Sequence, residues 1–166
     1  MLGPRPPELD ALLERRWALG QDLYDEVWAG DYHMVPEPSP VQAYVGHQLA
    51  ELLEPLERRA ELIATGPFNL GTPDDFRVPD LGLLRAMPTS TFVPTAAVVV
   101  EIVSPDDETW DKIDFYNARS VDELLIADPA QHSVTWLRLE DGRYVQRESS
   151  ALLGGSSADL AAEIDW

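Results

Sequence analysis

Glu101 stands inside one of the most apolar stretches of the chain, Ala96-Ala97-Val98-Val99-Val100-Glu101-Ile102-Val103. A carboxylate in such a run faces water at a strand end, binds something, or has a paired partner, because isolated burial of its charge is very costly. Lys112 follows eleven residues later and is the only lysine in the chain. Upstream, a second acid sits behind a proline, Pro79-Asp80. An Asp, a strand-embedded Glu and a Lys are the parts of a metal-dependent phosphodiester-cleaving site. Magnesium and manganese prefer oxygen ligands. Asp80, Glu101 and the backbone carbonyl of Ile102 would supply them. Lys112 would stabilise charge developing on a phosphate, or position water.

These residues need elements to bring them together. Glu8 to Leu19 reads as a helix, with Leu9, Leu12, Leu13, Trp17 and Ala18 near helical spacing and Gly20 to stop it. Val27 to Val35 reads as a hairpin turning at Gly30-Asp31. A longer helix is expected from Val41 to Ala64, kinked or split at Pro55. Strands are expected over Phe76 to Leu84, Ala96 to Val103, Glu123 to Ala127, Ser133 to Leu139 and Arg143 to Arg147. Asp141-Gly142 is a turn joining the last two. A crossover helix, Glu108 to Ala118, lies between the second and third strands, and Ser156 or Ser157 caps a final helix, Ala158 to Ile164. The order predicts an α/β or α+β domain with a mixed sheet flanked by helices. On the crossover helix Glu108, Lys112 and Tyr116 would share one face, a spacing that by itself is more common in plain surface pairs.

The 166 residues suit a single domain spanning 1–166, with a loose Pro-rich start over 1–7. With no cysteine there is neither a disulfide nor a thiolate metal site, which is compatible with a cytoplasmic protein. No apolar run approaches the ~18 residues that span a bilayer, and the start lacks the apolar core of a signal peptide. The net charge of −18 argues against a broad nucleic-acid-binding surface.

Other residues have bland readings beside the sharp ones. His33 in the hairpin suits a structural role, and His132 a solvent-exposed turn. The tryptophans suit core or dimer contacts more than base stacking, with Trp110 beside the candidate site as the exception. Arg77, Arg85 and Arg119 suit salt bridges in so acidic a chain, or contacts to phosphate. Asp106-Asp107-Glu108 suits a solvated helix start.

Four pieces in order carry a family resemblance: Arg77-Val78-Pro79-Asp80-Leu81, Val98 to Pro105, Asp111 to Ala118, and Val121 to Pro129. The chain resembles the Uma-type restriction endonucleases of bacteria, within the PD-(D/E)xK nuclease-like superfamily, over about residues 25–165. The resemblance implies a restriction-endonuclease-like core and maps the family's proline–aspartate pair onto Pro79-Asp80 and its strand acid onto Glu101. The family often lacks a lysine two residues after that acid, where Val103 stands here. Its lysine lies on the following helix, four residues before a tyrosine, as Lys112 and Tyr116 do. Glu108 falls where the family often has an acid. Two positions depart: Gln42 replaces a frequent histidine, and Ser120 a usual glycine. Glu51, paired with His47 on the long helix, would reach the metal if it acts as a helix acid does in some of these nucleases.

The expected function is a magnesium- or manganese-dependent endonuclease using Asp80, Glu101, Lys112 and Tyr116, with nucleic acid as partner and a homodimer or higher homo-oligomer as assembly. Two alternatives stand beside it. One is a non-catalytic acidic binding or scaffold protein that keeps the nuclease fold. The other is a metal-dependent hydrolase of a small nucleotide.

Overall fold

A computed structural model describes residues 7–105 and 108–166. The loose start expected over 1–7, apart from Pro7, and the pair Asp106-Asp107 lie outside the described residues. The first helix, α1, is Pro7–Ala18. Strands β1 (Glu26–Trp28) and β2 (Asp31–His33) form the expected hairpin, but the turn is Ala29-Gly30. Both turn residues have positive φ, 49° and 93°. That is the backbone twist a two-residue hairpin loop requires.

Helix α2 is Pro40–Arg59. Ser39 caps it: its hydroxyl accepts from the Gln42 N–H, and the Gln42 side chain accepts from the Ser39 N–H. The helix runs through Pro55 instead of splitting there. Pro55 is exposed, so the backbone bond it removes falls on the solvent side. The helix stops at Arg59, and Ile63–Thr65 forms β3 instead of a last helical turn.

The long strand expected over Phe76 to Leu84 is two strands. After β4 (Asn69–Thr72) come β5 (Asp75–Arg77) and β6 (Leu81–Leu84), separated at Val78-Pro79-Asp80 and belonging to different sheets. Pro79 has no N–H to give to a ladder, so the strand breaks there. Then follow β7 (Phe92–Val93) and β8 (Val98–Ile102). The expected crossover helix is a 3-10 turn, Thr109–Lys112, leading into α3, Ile113–Ala118. Strands β9 (Glu123–Asp128), β10 (Ser133–Glu140) and β11 (Arg143–Arg147) and helix α4 (Ser157–Glu163), capped by Ser156, complete the chain.

Two mixed sheets result, where one was expected. The larger has order β11-β10-β9-β8-β6-β3, and the smaller β2-β1-β5-β4-β7. In the larger sheet β8 and β9 are parallel and the other neighbours antiparallel. The central strand β8 is buried on both faces. Its Val98, Val100 and Ile102 join Val45, Leu49 and Leu53 of α2 in one core. Val99 joins Leu124, Phe115 and Tyr116 in the other, on the α3 side. Each such side chain contributes about 1.5–3 kcal/mol on burial, so the register of β8 is firmly held. Side chains alternate along a strand. Glu101 therefore points with Val99, toward α3.

Candidate functional site

The register of β8 decides what Glu101 meets. The Tyr116 hydroxyl donates to Glu101 Oε1, and Lys112 Nζ lies 3.4 Å from the same oxygen. Lys112 ends the 3-10 turn and Tyr116 sits one turn into α3, so the four-residue spacing stacks both over Glu101. Glu108 does not share that face. It precedes the 3-10 turn and pairs with His33, 3.4 Å away.

Asp80 arrives from the strand break. Strands β6 and β8 pair antiparallel with Leu81 opposite Val100, so one further step sets Asp80 opposite Glu101. Asp80 Oδ2 accepts from the Ile102 N–H at 2.7 Å. The Ile102 carbonyl accepts from Gln42 Nε2 at 3.4 Å.

The smaller sheet contributes a third acid. Glu26, buried at the head of β1, has Oε1 2.9 Å from Lys112 Nζ. The same oxygen accepts from the Val78 N–H at 2.8 Å, and Oε2 accepts from the Trp28 indole N–H at 2.7 Å. Lys112 is thus held between two buried carboxylates, one from each sheet. All of these acids and the ammonium line one cleft of about 480 Å³.

A family model described as "Uma2: Putative restriction endonuclease" matches residues 12–165. The chain belongs to the Uma2 family. No curated protein matches it. Among solved structures, it is similar to the crystal structure of a "putative nuclease belonging to DUF820" from Anabaena variabilis. The two share 14% identity with a TM-score of 0.66, over 84% of this chain and 90% of that one. At that identity the likeness establishes the fold alone: mixed sheets flanked by helices.

In this Uma2-family chain the electrostatics of the cleft follow from burial. Burial pushes the Glu101 carboxyl up to about 8, opposed by the Lys112 ammonium, with Asp80 pushing the same way as burial. Burial pulls the Lys112 ammonium down, but the Glu101 and Glu26 carboxylates outweigh it and its pKa is raised. Burial, then the Glu101 carboxylate, raises the Tyr116 hydroxyl well above its usual range, so it remains a donor. One ammonium faces three acids, and excess negative charge remains. That surplus, with oxygens from Asp80, Glu101 and the Ile102 carbonyl in one cleft, suits a hard divalent cation. Among the described residues no three His, Cys, Asp or Glu side chains form a metal cage by themselves. A cation here would draw on two carboxylates, a carbonyl and water, as magnesium commonly does.

Glu51 is not part of this arrangement. It is exposed on α2, 3.3 Å from His47, and does not line the cleft. The arginines flanking the motifs are engaged elsewhere. Arg77 is buried with its guanidinium 4.2 Å from the Trp28 ring centroid and 4.1 Å from that of Phe115. Arg119 pairs with Asp75, and Arg85 with Asp122. His33 stacks on Trp28 and lines the cleft. His132, in its exposed turn, stacks on Trp166. Trp136 is core, while Trp110 is more than half exposed.

Sequence reasoning missed Glu26. Its signal was an acid pair, Asp25-Glu26, abutting the apolar hairpin residues Val27-Trp28. Both acids are buried. Asp25 serves the scaffold: it accepts from Arg16, the Tyr32 hydroxyl and the Val35 N–H, tying α1 to the hairpin.

Proposed function

We propose that this Uma2-family chain is a magnesium- or manganese-dependent phosphodiester hydrolase of the nuclease type. The observation that carries the reading is the convergence of Asp80, Glu101 and Lys112, distant along the chain, on the floor of one cleft. Asp80, Glu101 and the Ile102 carbonyl hold the cation. When bound, the cation supplies positive charge and an acidified water. Lys112 presents its ammonium to the phosphate oxygens, where it offsets charge that develops during attack. Glu26 and Tyr116 act on position: Glu26 anchors the ammonium from the hairpin side, and Tyr116 fixes the Glu101 carboxylate. Nucleic acid is the substrate suggested by the family description. The chain is taken to act as one cytoplasmic domain and as a homodimer, a state consistent with exposed Trp17, Leu19 and Leu23 and open to light scattering.

The test is hydrolysis of bis(p-nitrophenyl) phosphate and of DNA and RNA with either metal, beside calorimetric metal titration. Asp80→Asn and Glu101→Gln abolish metal uptake and turnover, and Lys112→Met abolishes turnover while leaving uptake. Wild type that takes up neither metal and cleaves none of these substrates sinks the reading. A non-catalytic binding role would then stand, a role favoured by one observation: Lys112 is already matched by two acids.

A further inference from the structure

We propose that the substrate of this cleft is a short oligonucleotide with one or two phosphodiester links, such as a dinucleotide, not polymeric DNA or RNA; this rests on the phosphodiesterase reading above. Polymer-binding surfaces gain most of their affinity from Lys and Arg side chains set against successive phosphates. Here, among the described residues, Lys112 is the one Lys or Arg that lines the cleft. It is compensated by Glu26 and Glu101. The arginines of the elements around it are withdrawn into pairs: Arg16 with Asp25, and Arg77 and Arg119 with Asp75.

The mouth is acidic as well. Glu37 and Glu108 line it and are exposed. A strand leaving the cleft in either direction would run its phosphates past carboxylates on a chain of net charge −18. A short oligonucleotide avoids this. Its phosphate charge is met locally by Lys112 and the divalent cation, and its remainder stays inside the cleft. The volume of about 480 Å³ lies in the range of small-molecule sites. Tyr24, Tyr32 and His33 place aromatic rings among the lining residues, which suits a base. In the reaction a water oxygen forms the new bond to phosphorus, one ester P–O bond breaks, and the departing alkoxide takes up a proton.

The experiment compares kcat/KM, with manganese, for a dinucleotide, a single strand of about 20 nucleotides and its duplex. Bis(p-nitrophenyl) phosphate serves as the reference. The dinucleotide is expected to exceed both polymers about tenfold or more at low salt. Raising salt from about 50 to about 200 mM should speed polymer cleavage, the reverse of the usual sign. The variant Glu37→Lys should raise polymer cleavage about threefold or more and leave the dinucleotide within about twofold. Polymers cleaved as well as the dinucleotide, with rates that fall as salt rises, overturn the inference. Hydrolysis of the reference with no cleavage of any nucleotide also overturns it, while leaving the phosphodiesterase reading intact. No hydrolysis of the reference removes both.

Discussion

Glu101 makes the metal-free protein less stable as pH rises through neutrality. Its carboxyl titrates near 4.5 when unfolded and at about 8 in the fold. Between those values the folded state holds a proton that the unfolded chain has released. Stability therefore falls as pH climbs. At 1.36 kcal/mol for each unit separating the two values, the full swing is ~5 kcal/mol, with a slope approaching 1.4 kcal/mol per pH unit. The groups with lowered pKa, Asp75 and Glu140, change protonation below this window and do not obscure it. Urea unfolding at pH 5.5, 7 and 8.5 in EDTA measures the slope. Glu101→Gln supplies the background, since it keeps the shape and loses the titration. Wild type should lose several kcal/mol across the range relative to the variant. Magnesium should flatten the wild-type curve, because a cation favours the ionised carboxylate and displaces the proton. Parallel curves for wild type and Glu101→Gln would refute both the burial argument and the charge cluster built on it.

Lys112→Met leaves the Glu26 and Glu101 carboxylates uncompensated; metal-free unfolding should show a loss of about 3–5 kcal/mol at pH 8.5, and a smaller one at pH 5.5, where Glu101 is neutral. Ser120 has φ 55°, a left-handed conformation where the family usually carries glycine. Ser120→Gly should therefore stabilise the chain by about 1 kcal/mol, read as a rise in thermal midpoint. Trp28→Phe deletes the N–H donated to Glu26 while keeping an aromatic ring beside Arg77 and His33. Turnover should fall about tenfold with KM unchanged, since one hydrogen bond to a charged group is worth ~1.5–3 kcal/mol. Asp25→Ala strips the partner from Arg16 and the Tyr32 hydroxyl, whose pKa burial raises to about 12. Hydrogen exchange should show α1 opening first, with a global cost of about 2–3 kcal/mol.

Much of the architecture was legible along the chain because local rules governed it. Alternating and continuous apolar runs marked β8 to β11. Asp141-Gly142 set its turn with two positive φ angles, 48° and 78°. Ser156 capped the last helix. The elements that local rules misplace are those where a long-range partner decides. The Phe76 to Leu84 run reads as one apolar strand, yet its halves pair with β1 and β4 in one sheet and β3 and β8 in the other. Ile63 and Ala64, read as the end of the long helix, pair with β6 as an edge strand.

The sequence by itself supplied the residue types: an acid in an apolar strand, an acid after a proline, one lysine four residues before a tyrosine. It also supplied the two-residue period that commits Glu101 to the face of Val99. Only the tertiary structure decided who stands around them. Glu26 lies 75 residues before Glu101 along the chain, and it enters the site because the smaller sheet docks its hairpin against the 3-10 turn. Glu51 drops out because its helix turns it to solvent. Strand and helix periodicity fix which side of an element a side chain occupies. Which other element covers that side is set by packing between segments far apart in the chain, where no local spacing carries a signal.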